Sequence, residues 1–513
     1  MSGASVSGQG PVGRLNAVRA LASSADRSES SPPASVLYWV VFLLVLTVLC
    51  LPVIAVTYHP LVDYPNHLAR AYILHHYHDD AVYQDNYVLS REVLPNLAVD
   101  LIVPTLLHFT DWITASQLFL CSAVILFSTG CHRLGTAIRG HQNWLVIPSM
   151  FFVYNSALLY GYVNYIFGLG CFAWAFGYWL PRRHHWTIQR VAIATMLTCA
   201  AYVSHLSAYS FLAAAFVTVG ACDLCGRRSS LYSVAVSLLP LAPPAALYCM
   251  QMVERGEPGT VQWNSLLGKF IALLPLFLTY SYRFDLVFLI ALGILCVTAI
   301  SASRESTIEW PSFLAGLVLL ALLLASPKGM LTGSGADARF LVPAALLLVL
   351  SVKLTIRRPL STALFLACLI LFSLRVGLIW NTWREMDHQI AEQISLFSVL
   401  PEGARVYPAF PSPDLVQLSK EERSLEHVIS LATITRHAYV LSQFAIPGQQ
   451  PVLFRTQPSV VLLHDVSNDW TASLRDAEYV WSYGIPDFVQ QELASRCVPV
   501  AAQSGFTVWK VNR

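Results

Sequence analysis

Apolar runs of membrane-spanning length recur from near one end of this chain almost to the other. They begin at 36–57 and return near 114–131, 144–160, 162–180, 188–205, 208–224, 231–251, 284–302, 311–326, 339–355 and 360–380. Each is long enough to cross hydrocarbon as a helix whose backbone groups bond internally. The predicted class is mainly α: a polytopic helical membrane protein with about eleven spans. Composition agrees, since 55% of the residues are hydrophobic and 12% are charged, against about a quarter charged in a soluble domain. That composition calls for membrane lipids as partners, and a net charge of +2 gives no basic surface for nucleic acid. Most of the eleven cysteines fall inside apolar runs, where a thiol acts as a small hydrophobe and forms no disulfide framework.

Residues 1–34 are rich in Ser, Gly, Pro and Ala and carry Arg14, Arg19 and Arg27, the composition of a disordered tail. The run at 36–57 is longer than a signal-peptide core, and no small-residue cleavage site follows it, so it is expected to stay as the first helix. Basic clusters then orient the chain. Arg133 and Arg139, Arg182 with Arg183 and Arg190, Arg227 with Arg228, Arg304, and Lys353 with Arg357 and Arg358 all fall on the cytoplasmic side if 264–281 lies in the interface or re-enters instead of crossing. The loops 58–113, 252–283 and 327–339 and everything after Trp380 then lie together outside. The expected organisation is a cytoplasmic tail, 1–34; a transmembrane domain, 35–380, with a first extracytoplasmic loop at 58–113; and an extracytoplasmic soluble domain, 381–513. This describes a multi-pass protein of the inner (plasma) membrane.

The C-terminal 381–513 region has ordinary composition. Residues 401–406 read as a turn into a strand, 439–444 and 459–463 are β-prone, 487–494 is helical in pattern, and 506–511 reads as a closing strand;. That predicts a small α/β or α+β domain. It holds no Gly-rich phosphate loop and no nucleophile elbow, so binding, gating or stabilising suits it better than catalysis.

The most informative polar stretch follows the first run: His59-Pro60-Leu61-Val62-Asp63-Tyr64-Pro65-Asn66-His67-Leu68-Ala69-Arg70. Pro65 with Asp63 before it suggests a capped helix start, which puts Asn66 and Arg70 on one face and His67 on a neighbouring one. Asp63 beside the positive end of a helix is available as a base or as a cation ligand, or only as a cap. The loop it opens runs for about fifty residues, longer than idle connections usually are. Asp100 lies in a short apolar stretch that reads as an interfacial helix and needs a partner. His75, His76, His78, Asp79 and Asp80 point in different directions on a helix and suit one metal ion poorly. Asn155, Asn164 and His205 sit at the outer ends of spans, as substrate contacts or as glue between helices. Arg339 enters a late span from the outside, where it can hold a phosphate or anchor at the interface. Arg375, deep in the last span, needs an internal partner or a lipid headgroup.

Taken together, the acidic residue opening a long first loop, the about eleven spans, the Arg339-Phe340-x-x-Pro343 entry and the C-terminal domain resemble the GT-C superfamily of polytopic membrane glycosyltransferases, which includes protein O-mannosyltransferases and aminoarabinose transferases. The resemblance covers nearly the whole chain in architecture and only Asp63 and Arg339 in motif. It implies a sugar moved from a polyprenyl-phosphate donor to an extracytoplasmic acceptor. Asp63 would be the catalytic carboxylate and Arg339 the donor-phosphate ligand, with Asn66, His67, Arg70, Asp100, Asn155, Asn164 and His205 as substrate-binding candidates. Many members carry two adjacent acidic residues here, whereas Tyr64 follows Asp63. No cofactor is called for, and a divalent metal stays open. The competing implication is a non-catalytic scaffold that binds lipid-linked glycan or assembles a surface-polysaccharide complex. A transporter is disfavoured by the few intramembrane charges and the lack of paired broken helices.

Overall fold

The computed structural model describes residues 32–92, 94–255, 261–330, 335–412, 416–458, 463 and 470–512. Most of the N-terminal tail lies outside the described residues, as do 459–462 of the β-prone stretch and Gly333 and Ser334 before Arg339. The first helix, α1 (Pro32–Ile54), starts three residues inside the expected tail, because proline fits a first helical turn.

A short helix, α2 (Tyr64–His76), and α3 (Ala98–Leu107) then form the first loop. The body follows: α4 (Trp112–Arg139), α5 (Val163–Trp179), α6 (Ile188–Ser204), α7 (Leu206–Cys225), α8 (Tyr282–Ser301), α9 (Trp310–Ala325), α10 (Leu341–Ser351) and α11 (Arg358–Leu396). Broken helical stretches at Val146–Leu159 and Leu231–Gln251 complete it. Among the described residues seven helices are long and apolar enough to cross a membrane. Four of the expected runs, Val146–Leu159, Ile188–Ser204, Trp310–Ala325 and Ala338–Ser351, are shorter.

The body packs through small residues, as helices in lipid do when no hydrophobic force drives them together. A Cβ on Gly170 of α5 would come within 2.7 Å of Leu126 Cγ on α4, and one on Gly130 within 2.9 Å of Ala173 Cβ. Close approach there brings α4 and α5 into continuous contact.

The segment 264–281 contains only one short helix, Leu266–Ile271, and no helix of spanning length. Its exposed backbone groups are answered by side chains. Arg375 of α11 donates through Nε to the Phe277 carbonyl (3.0 Å) and through Nη2 to that of Leu278 (3.3 Å). Asp285 accepts the Thr279 amide on both oxygens at 2.9 Å and the Thr279 hydroxyl at 2.6 Å. Irregular backbone at membrane depth needs such partners, and Arg375 thereby finds the internal one it required.

Beyond the body, a five-stranded mixed sheet forms in the C-terminal region. In chain order its strands are interleaved with a separate pair: β1 (Tyr87–Leu89), β2 (Arg405–Ala409), β3 (Tyr439–Val440), β4 (Val452–Phe454), β5 (Tyr479–Tyr483), β6 (Cys497–Gln503) and β7 (Phe506–Val511). The sheet order is β6-β7-β5-β2-β3, antiparallel through β6-β7-β5 and parallel through β5-β2-β3. A helix, α12 (Asp487–Arg496), connects β5 to β6.

The first loop and the C-terminal region share one core. β1 of the loop pairs antiparallel with β4, with Tyr87 opposite Phe454. Ile73, Tyr83 and Tyr87 are buried in the same cluster as Tyr407, Tyr439 and Trp509. Lys420 donates to the Thr279 carbonyl, and Val261–Gln262 pairs with Gly329–Met330. These contacts bring the first loop, the 252–283 and 327–339 loops and the C-terminal region together pairwise. The expected boundary at 380 falls inside α11, whose 39 residues span about 58 Å at about 1.5 Å per residue. That is well beyond a hydrocarbon core of about 30 Å.

Candidate functional site

Asp63 stands at the N-cap position of α2, yet its side chain makes no capping hydrogen bond, since the residue is in the α region (φ −84°, ψ −12°). The expected cap is thus a position without the bond, and the carboxylate is left to face outward. Its backbone is fixed from two sides. The Asp63 amide donates to the Tyr160 carbonyl at 3.1 Å. Gly161, at φ +82°, lies so close that a Cβ would fall 2.6 Å from the Asp63 nitrogen. Only glycine supplies both the left-handed backbone and that clearance.

The C-terminal region supplies the next wall. His427 Nε2 is 3.7 Å from Asp63 Oδ1, with 23% of the Asp63 side chain exposed and 16% of the His427 side chain. Burial pushes the Asp63 carboxyl up to about 6. His427 and Arg339 pull it back and Glu426 pushes it further up. A carboxylate titrating there is near the optimum for a base at neutral pH. Phe444 sits edge-on to both His427 and His67, with ring centroids 5.2 and 5.9 Å away.

Arg339 closes the opposite side. Its guanidinium carbon lies 4.9 Å from the Tyr162 ring centroid. Tyr165 donates to the Arg339 carbonyl at 2.7 Å. Asp63 and Arg339 are within electrostatic reach of each other, and so are His205 and Arg339. One carboxylate, one imidazole and one guanidinium thus converge near the Tyr160-Gly161-Tyr162 turn.

The remaining candidates build the walls of this site. Arg70 grips Asp100 in a fork, Nε to Oδ1 at 2.6 Å and Nη2 to Oδ2 at 2.8 Å, with both side chains buried. The same Nη2 lies 2.9 Å from His67 Nδ1, and burial, then Arg70, hold that imidazole well below its usual range. Asp100 therefore has the partner it needed, in Arg70. Asn66 is fully buried: Ser430 donates to its side-chain oxygen at 2.9 Å and Gln443 to its carbonyl at 2.8 Å. Asn155 caps Ser156–Leu159, accepting from the amides of Ala157 and Leu158. Asn164 accepts from the Val99 amide at 2.8 Å and donates to the Asn96 carbonyl, tying α5 to the start of α3. His205 links α6 to α7 by accepting the Ser207 amide at 3.1 Å. Asn66, Arg70, Asp100, Asn155 and Asn164 have polar atoms committed to protein partners.

His427, Glu426 and Phe444 are the members that residue patterns did not single out. His427 is one histidine in a stretch of ordinary composition, and only the packing of Val428–Leu431 against α2 brings it to Asp63. Among the described residues no group of three or more His, Cys, Asp or Glu side chains is placed to hold a metal ion.

No protein-family model and no curated protein matches the sequence. Among solved structures the chain is similar to the crystal structure of ArnT from Cupriavidus metallidurans bound to undecaprenyl phosphate. The match has 11% sequence identity and a TM-score of 0.48, over 94% of this chain and 98% of that one.

Proposed function

We propose that this protein is a membrane glycosyltransferase that moves a sugar from a polyprenyl-phosphate donor to an acceptor on the extracytoplasmic side, with 381–513 as its extracytoplasmic domain. The observation that carries this reading is an uncapped, half-enclosed carboxylate at Asp63, facing His427, with the Arg339 guanidinium within reach. Inverting transfer needs a base on the acceptor hydroxyl and positive charge on the departing phosphate. As the acceptor oxygen bonds to the anomeric carbon and the carbon–phosphate oxygen bond breaks, Asp63 takes the hydroxyl proton. Arg339 receives the charge on the leaving phosphate. His67 and His205 flank the centre as neutral polar contacts for the sugar or acceptor.

The test is transfer in membranes supplied with radiolabelled polyprenyl-phosphate sugar. Asp63→Asn is expected to lower it by about a thousandfold. Full transfer by a folded Asp63→Asn protein would remove Asp63 from catalysis, whereas lipid-linked glycan bound by the unaltered protein with no transfer would favour the scaffold reading. What favours that second reading is the small number of open polar groups, since Arg70 and Asp100 are closed on each other.

A further inference from the structure

Arg339 must be aimed by something. The short helix Leu266–Ile271 turns Leu266, Leu267, Phe270 and Ile271 outward, each more than half exposed, and Lys269 inward, 5% exposed. A lysine turned inward from an apolar outer face needs every N–H answered. Lys269 Nζ donates to Asp337 Oδ2 at 2.7 Å, to the Leu323 carbonyl at 3.3 Å and to the Ser326 carbonyl. The two carbonyls lie at the C-terminal end of α9, where a helix leaves its acceptors unpaired and favours a cation.

Asp337 is 1% exposed. It also accepts from Asn264 Nδ2 at 2.8 Å on the same oxygen, and its Oδ1 accepts the Ala338 amide at 2.9 Å. Its own carbonyl accepts the Phe340 amide at 3.2 Å. Residues 337–340 are thus pinned from behind by Lys269, while Tyr165 holds the Arg339 carbonyl from the front. Nothing in this ion pair touches the open centre, so its effect must pass through the turn that carries Arg339.

We propose that Lys269 is a positioning residue: through its buried bridge to Asp337 it sets the direction in which Arg339 presents its guanidinium to a lipid-linked phosphate. The proposal rests on the reading that Arg339 receives such a phosphate. The helix that carries Lys269 presents Leu266, Leu267, Phe270 and Ile271 outward, an apolar face suited to a bilayer surface.

The test uses the full-length protein in nanodiscs and two probes, undecaprenyl phosphate and undecaprenol, with binding measured for each. Lys269→Gln, and the neutral pair Lys269→Gln with Asp337→Asn, are expected to weaken undecaprenyl phosphate about tenfold, as a displaced charged donor does. Undecaprenol binding should stay as it is, and Lys269→Arg should restore part of the loss. The double variant leaves no lone buried charge, so a defect in it is not misfolding of a stranded carboxylate. Equal loss for both probes would show a merely structural role and overturn the proposal. So would unchanged phosphate binding in the double variant while Arg339→Gln weakens it. If Arg339→Gln itself leaves undecaprenyl phosphate binding intact, the underlying reading of Arg339 fails instead.

Discussion

Two contacts between an acidic and a basic side chain lie in the region around α2, and they have different surroundings. Arg70 and Asp100 meet at 2.6 and 2.8 Å, out of contact with solvent. Asp63 faces His427 across 3.7 Å, partly exposed, with Arg339 at longer range. The first pair is closed: each charge is spent on the other, and it fastens α3 to α2. The second is held apart by the backbone, since Gly161 and Tyr160 fix Asp63 from one side while Val428–Leu431 places His427 on the other. A closed pair serves architecture, whereas a partly exposed carboxylate 3.7 Å from its neighbour stays open to a group arriving from outside.

This contrast can be broken or sharpened by mutation. The largest effect is expected at Asp63. Asp63→Asn should lower transfer by about a thousandfold, within the range for a lost general base, while leaving the protein folded. The folded carboxyl titrates at about 6 and the ordinary one at 3.8. The folded state therefore holds the extra proton between those values. The stability this proton contributes is present below about pH 4 and lost as pH rises through about 6. Asn never ionises, so above pH 6 the variant should melt at the same temperature or higher, with a gain of at most about 3 kcal/mol. Activity and thermal unfolding measured on one preparation check both parts, and a variant that is inactive because it is unfolded would erase the contrast.

The closed pair should behave in the opposite way. Arg70→Ala strands a buried Asp100 and is expected to cost about 3–5 kcal/mol of stability. Replacing both residues, Arg70→Met with Asp100→Leu, should recover most of it. Thermal unfolding of the single and double variants decides this. A single variant with native stability and no transfer would move Arg70 from the walls into the site.

A smaller effect is expected on the pH profile. Transfer should rise with pH through about 6 as Asp63 loses its proton. His427 lowers that value, so His427→Gln should move the limb to higher pH. A profile that stays in place would show that His427 does not act on Asp63. The smallest effect belongs to Asn155, whose cap on Ser156–Leu159 is worth about 1 kcal/mol. Asn155→Ala should lower the melting temperature slightly and disturb transfer only through the Tyr160–Tyr162 turn.

Much of this protein was open to reading from residue order. A helix crossing lipid must satisfy its own backbone and cover its length with apolar side chains, so 163–179, 206–225 and 282–301 are visible as runs without knowledge of any neighbour. The expectation that 264–281 does not cross came from the basic clusters, which one orientation kept on one side, and that segment holds no helix of spanning length. The strands at 405–409 and 506–511 were visible as β-prone stretches between turn signals. Asp63 stood out because it opens an unusually long loop, and Arg339 because a charge at the mouth of a span is rare.

Only the tertiary structure decided which polar residues pair with which. Asp63, Arg339 and His427 are separated by 88 to 364 positions of chain that carries no signal linking them. Charge pairing depends on distances of a few ångströms, set by how α2, the Tyr160–Tyr162 turn and the C-terminal region pack. For the same reason Asn66, Arg70, Asp100, Asn155 and Asn164 could be picked out by type, whereas their commitment to protein partners could not. Hydrophobic periodicity is a local property that the order of residues carries by itself. The partner of a buried charge is a property of the packed chain.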